Sequence, residues 1–189
     1  MPRVPDLAVD ELDEEQRAAY AEIATSRGGV ARGPFSVWLH IPPVAVAASR
    51  LGDALRLRGR LDRELFELIT LVVAARWTAA YPWAVHAPAA AELGIDPAAT
   101  EAIRTRQRPT FRRDAERIVH DLGVELLDTG TLTARSYNRA HAALGLEVLT
   151  EVVTAYGWYT AAAFVTNAFD VEVPGVRQPF SSLSKEDIP

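Results

Sequence analysis

With 189 residues, 49% of them hydrophobic and 24% charged, the chain can bury one substantial core or two small repeats sharing one, and it is excluded from global disorder. A net charge of −5 and a pI near 5.4 argue against a general binder of nucleic acid or anionic membranes, because neither polyanion attracts the chain at long range. The absence of cysteine removes disulfides, thiolate nucleophiles and cysteine-based zinc sites together.

Ala, Leu and Val are abundant and turn clusters are few, so the expected fold class is all-α. The first residues lack the basic and apolar regions of a signal peptide, which makes the cytoplasm the default location. Residues 1 to 8 read as a loose arm. Asp10 begins an acidic amphipathic helix with Leu12, Ala19, Tyr20 and Ile23 on its apolar side, ended by Ser26-Arg-Gly-Gly; arm and helix together make up residues 1–32. In Gly33-Pro-Phe-Ser-Val-Trp-Leu-His-Ile-Pro-Pro43, glycine and prolines flank an apolar segment that is expected as a loop. Its Trp38 and His40 either line a pocket or pack on the core.

A short helix spans Val44 to Leu57, and a long one runs from Leu61 to about Ala80. Leu61, Leu65, Leu68, Ile69 and Val72 form a continuous apolar stripe along the long helix, and Glu67 lies off that stripe. Tyr81-Pro82 restarts the chain as a second helix, because proline is tolerated in a first turn; Pro88 then falls inside it and is expected to bend it. Gly94 closes that helix and Asp96-Pro97 caps a third. Pro109-Thr110 opens another, to about Leu127, and Thr131 begins one that Gly145 separates from the apolar helix of residues 146 to 169. Within it the uncharged run Val152 to Phe169 is close to spanning length, but Thr154, Tyr156, Gly157, Tyr159, Thr160, Thr166 and Asn167 dilute it, so it reads as a core helix and no membrane partner is expected. Residues 33–171 thus form one helical domain, followed by a polar, Pro-rich tail at 172–189 that is either disordered or laid on a neighbour.

Glu67 and His86 are the candidate catalytic pair. They are nineteen residues apart across a helix break, so an antiparallel helix pair brings carboxylate and imidazole within reach. A carboxylate on one ring nitrogen sets the tautomer and raises the basicity of the other, as general acid/base work requires. The competing reading pairs a solvated Glu67 with Arg63 and leaves His86 filling space beside Trp83. No His-x-x-x-His or Glu-x-x-His cluster occurs, so no metal is expected. The basic run Arg104, Arg106, Arg108, Arg112, Arg113 and Arg117 reads as a solvated or ion-paired helix face rather than a nucleic-acid site.

The frame Arg63-Glu-Leu-Phe-Glu67 through Tyr81-Pro-Trp83-Ala-Val-His86 resembles the carboxymuconolactone decarboxylase family, whose superfamily includes the alkylhydroperoxidase AhpD. The segment from Gly33 to Pro43 and the late helix with Tyr156 and Asn167 add to the likeness, which extends to about Pro174. It implies an AhpD-like helical bundle assembled with copies of itself into trimers or hexamers. In the peroxidase branch, Glu and His relay protons for two cysteines; here those positions hold Ala79 and Pro82, so thiol peroxidase chemistry is excluded. The cysteine-free branch is similar to decarboxylases of small carboxylated lactones, whose reaction needs neither metal nor organic cofactor. The resemblance implies a lyase in which His86 protonates carbon, Glu67 orients and charges the ring, and Trp83 and Trp38 wall the pocket. Tyr81 and His40 complete the candidate binding set, and Arg76 or an arginine from a neighbouring subunit holds a carboxylate. The alternative is a non-catalytic oligomeric scaffold or ligand-binding protein of the same fold.

Overall fold

The computed structural model describes residues 2–5, 7–173, 175 and 178–181, and every regular element among them is helical. In chain order these are α1 (Glu14–Thr25), α2 (Pro34–Trp38), α3 (Pro42–Asp53) running into a π-helical turn (Ala54–Arg58), α4 (Arg63–Arg76), α5 (Ala80–Glu92), α6 (Pro97–Arg104), α7 (Asp114–Thr129) and α8 (Ala134–Ala168). None is long and apolar enough to cross a membrane.

Capping chemistry sets several of these ends. α1 starts at a reciprocal box in which Gln16 N–H donates to Asp13 Oδ1 (2.8 Å) and Asp13 N–H to Gln16 Oε1 (3.1 Å), so the helix begins later than Asp10. α7 begins after Arg113, whose N–H donates to the Glu116 carboxylate at 2.9 Å, rather than at Pro109-Thr110. Thr133, not Thr131, caps α8 through Ser136 N–H. Gly145 interrupts α8 with non-helical backbone (φ 77, ψ 166), a conformation that a Cβ would strain.

Two further expectations are corrected. The segment after Gly33 is not a loop: Pro34 occupies the first turn of α2, where its missing N–H is not needed, and Phe35 and Leu39 are buried beneath it. The arm is not loose either. Arg3 N–H donates to Phe169 O (2.9 Å), and its guanidinium pairs with Asp170 at 2.8 Å, which ties it to the end of α8. The tail lies largely outside the described residues, but Phe180 is buried, packing edge-on against Trp83 at 5.3 Å.

Helix α4 is the axis of the molecule. Every residue from Leu65 to Ala75 is buried, because α5, α6, α7 and α8 all pack on it. A helix covered on all sides buries its off-stripe positions too, so Glu67 (2% exposed) and Thr70 (0%) go inside with the leucines. Thr70 is satisfied by donating to Phe66 O at 3.1 Å. A second, smaller apolar cluster of α1, α2 and α3 centres on Ile23, Phe35 and Leu39.

The turn between α4 and α5 decides what faces what. Thr78 has φ 49, unusual for a β-branched residue. The carbonyls around it are held from outside: Arg106 donates to Ala75 O (3.0 Å), and Asn167 Nδ2 to Trp77 O (2.7 Å). With the turn pinned, α5 folds back along α4 and continues through Pro88 to Glu92.

Candidate active site

Folding α5 back along α4 brings Glu67 and His86 together. His86 Nδ1 lies 2.6 Å from Glu67 Oε2. The carboxylate's other oxygen is 3.8 Å from Arg63 Nη2, so the helix neighbour named in the competing reading is present but secondary. The Glu67 side chain is 3% exposed and that of His86 18%, so the carboxylate is enclosed while the imidazole retains an open edge.

A third member comes from α8. The Tyr159 hydroxyl lies 3.5 Å from His86 Nε2, and its ring meets the imidazole edge-on at 5.3 Å. Phe66 and Trp158 hold the Tyr159 ring from two further sides at 5.3 and 4.8 Å. Burial pushes this phenol far above the usual tyrosine range, and the negative charge of Glu67 adds to the shift, against the opposing effects of Thr70, Arg56 and Arg27. Tyr159 is therefore a neutral O–H donor at any working pH. An ionised Glu67 accepts from His86 Nδ1–H, which leaves the Nε2 lone pair facing that phenol. Tyr159 was missed from sequence, where it counted only as polar dilution of an apolar helix; a contact 73 residues distant from His86 leaves no local signal.

The remaining candidates are dispersed. Trp83, one turn before His86 on α5, is 6% exposed and covered by Phe180. Trp38 packs between Phe35 (5.3 Å) and Trp158 (6.5 Å), one ring removed from Tyr159. His40 is exposed at the end of α2. Tyr81 lies against Gly33 and lines a cavity of about 530 Å³ together with Tyr20 and Leu39. Arg76 lies nine residues beyond Glu67 on α4, about 13.5 Å along the axis at the α-helical rise. It lines a different cavity, of about 800 Å³. Neither Glu67 nor His86 lines either cavity. Ala79 is fully buried and Pro82 is buried too, so both positions are packed with hydrocarbon. No group of three or more metal-ligating side chains occurs among the described residues.

No protein-family model and no curated protein sequence matches the chain. Solved structures do. An uncharacterized peroxidase-related protein from Ralstonia eutropha JMP134, described as an alkylhydroperoxidase AhpD core, superposes with a TM-score of 0.75 at 16% identity, covering 95% of this chain and 94% of the other. An uncharacterized peroxidase-related protein from Silicibacter sp. TM1040 gives 0.72 at 18% identity, covering 90% and 91%. The debrominase Bmp8, as a Cys-to-Ala variant in complex with 2,3,4-tribromopyrrole, gives 0.70 at 14% identity, covering 97% and 98%. The chain thus has the AhpD-like all-α fold, and the proteins that share it include an enzyme with a halogenated pyrrole bound.

Proposed function

We propose that this protein is a cofactor-independent acid/base enzyme, a decarboxylase-like lyase acting on a small carboxylated lactone or related metabolite. The observation that carries the reading is the enclosed Glu67–His86 contact at 2.6 Å, with Nε2 left facing the hydroxyl of the buried Tyr159. A proton taken up at Nε2 makes an imidazolium whose charge Glu67 balances without exchanging its own place with water. When the substrate's carboxylate leaves as carbon dioxide, the bonding pair passes into the adjoining unsaturated system as an enolate. His86 Nε2 then delivers its proton to carbon, and the Tyr159 hydroxyl, a neutral donor, stands next to the imidazole as that charge moves. With no thiol in the chain, the reaction is built on oxygen and nitrogen groups alone.

The second reading is a non-catalytic ligand-binding or scaffold protein. It is favoured by one observation, that neither described cavity reaches Glu67 or His86. A panel of carboxylated lactones and enol-lactones, assayed for carbon dioxide release and for ring migration, separates the two. Turnover that falls at least a hundredfold in His86→Ala, roughly the low end of general-acid contributions, supports the enzyme. Turnover unchanged in His86→Ala sinks the mechanism, and an inert wild type across the panel supports the scaffold. Assembly with copies of itself as a trimer or hexamer belongs to the same proposal, and a strict monomer by solution mass at micromolar concentration contradicts it.

A further inference from the structure

The larger cavity, away from Glu67 and His86, has the make-up of a ligand site of its own. Its volume, about 800 Å³, is in the range of small-molecule pockets. The floor is apolar, from Val72 of α4, Ile103 of α6 and Val124 and Leu127 of α7. Two nitrogen-bearing side chains, Arg76 and His120, line it. Arg76 engages Asp128 only through Nε (3.0 Å), and its guanidinium lies over Trp77 at 4.9 Å; neither terminal nitrogen has a partner among the described residues. His120 is steadied at Nδ1 by Asp121 (3.2 Å) and by the Phe111 ring at 5.2 Å, while its Nε2 likewise has no partner among the described residues. Burial holds the His120 imidazole below its ordinary range, so with Nδ1–H donated to Asp121 its Nε2 is a lone-pair acceptor that adds no charge to the wall.

The rim of the cavity carries no net charge that would draw in a doubly charged anion. Arg76, Arg106 and Arg108 are matched by Asp121, Glu125 and Asp128, so the rim is neutral overall. Those carboxylates are themselves engaged: Asp121 with Arg108 and Arg139, Glu125 with Ser136 and Thr133, and Asp128 with Arg76. Arg106 serves the wall of the cavity, holding the last carbonyls of α4 from a left-handed backbone (φ 56). What is left over is the open fork of Arg76, which matches the two oxygens of a carboxylate, above a hydrocarbon floor.

We infer that this cavity binds a small amphipathic monocarboxylate, its head on the terminal nitrogens of Arg76 and its apolar body on Val72, Ile103, Val124 and Leu127. The site is separate from the acid/base pair and does not depend on what that pair does. Isothermal titration of the full chain with benzoate and octanoate tests it, with benzamide and phenyl phosphate as comparisons. The carboxylates bind, benzamide does not, and phenyl phosphate binds more weakly than benzoate. Arg76→Gln weakens binding by roughly tenfold or more, through loss of the charge-assisted fork. Val124→Glu, a change at an exposed position of α7 that places a like charge at the floor, abolishes it. His86→Asn, which keeps an N–H for Glu67, leaves binding unchanged. The inference is overturned if no carboxylate binds, if benzamide binds as well as benzoate, if phenyl phosphate binds more tightly, or if His86→Asn removes binding that Arg76→Gln and Val124→Glu retain.

Discussion

The contact between Glu67 and His86 can be weighed by a double-mutant cycle. Removing the imidazole in His86→Ala leaves a carboxylate that is 2% exposed with only Arg63, at 3.8 Å, for company. Stranding a buried carboxylate without its partner costs about 3–5 kcal/mol, most of it the uncompensated charge rather than the lost bond. Glu67→Leu strands much less, because the open edge of His86 stays wet, and costs about 1–3 kcal/mol for the unmet N–H. In the double variant no charge remains to be stranded, so its cost falls short of the sum by about 2 kcal/mol. Urea unfolding followed by helix circular dichroism at pH 7, at one fixed protein concentration, reads this out. At a slope near 2 kcal/mol per molar, His86→Ala lowers the midpoint by roughly 1.5–2.5 M. Costs that add to within about 0.5 kcal/mol would show that the two side chains do not act as a pair, and the proposed relay would go with them.

Three further tests probe α8, which supplies Tyr159. Gly123 of α7 lies against the ring of the fully buried Tyr156, and an added methyl would overlap Cζ and the hydroxyl that donates to Val119 O at 2.9 Å. Gly123→Ala should therefore cost about 3 kcal/mol, a fall of roughly 6–12 °C in melting temperature, and an unchanged melt would refute the packing. Burial pushes the phenols of both Tyr156 and Tyr159 above their ordinary value of 10.0. Above pH 10 the unfolded chain releases protons that the folded chain keeps, so stability declines as pH rises, by about 1.4 kcal/mol per pH unit for each phenol. A flat stability from pH 10 to 11, or a double Tyr→Phe variant with the wild-type slope, contradicts that. For any lactone of the panel that is turned over, Tyr159→Phe should lower kcat by roughly ten- to a hundredfold, whereas Tyr156→Phe lowers stability by about 1 kcal/mol and leaves kcat alone. Equal effects of the two substitutions on kcat would remove Tyr159 from the site.

Much of this fold follows from local chemistry that can be read along the chain. An all-α architecture follows from composition and helical periodicity, the Asp96-Pro97 start of α6 from its cap, and the interruption at Gly145 from the one residue type that adopts φ 77 at little cost. The nineteen-residue spacing put Glu67 and His86 within reach because a single break lies between them, and a hairpin of helices needs no distant information to close. Thiol chemistry was excluded by counting atoms.

Other features depended on the rest of the molecule. Glu67 lies off the stripe of its own helix, and only the packing of α5 to α8 around α4 turns a solvated position into a buried one. Tyr159 meets His86, and Phe180 covers Trp83, across separations of 73 and 97 residues (180 − 83), where no periodicity carries information. Arg76 shares α4 with Glu67 but points its guanidinium into another cavity, because nine residues of helix carry it beyond the pair. Helix ends are settled by bonds between residues a turn apart, which a sequence displays. Which side chains share a cavity is settled by how whole helices lie against one another, and that depends on every residue in the core at once.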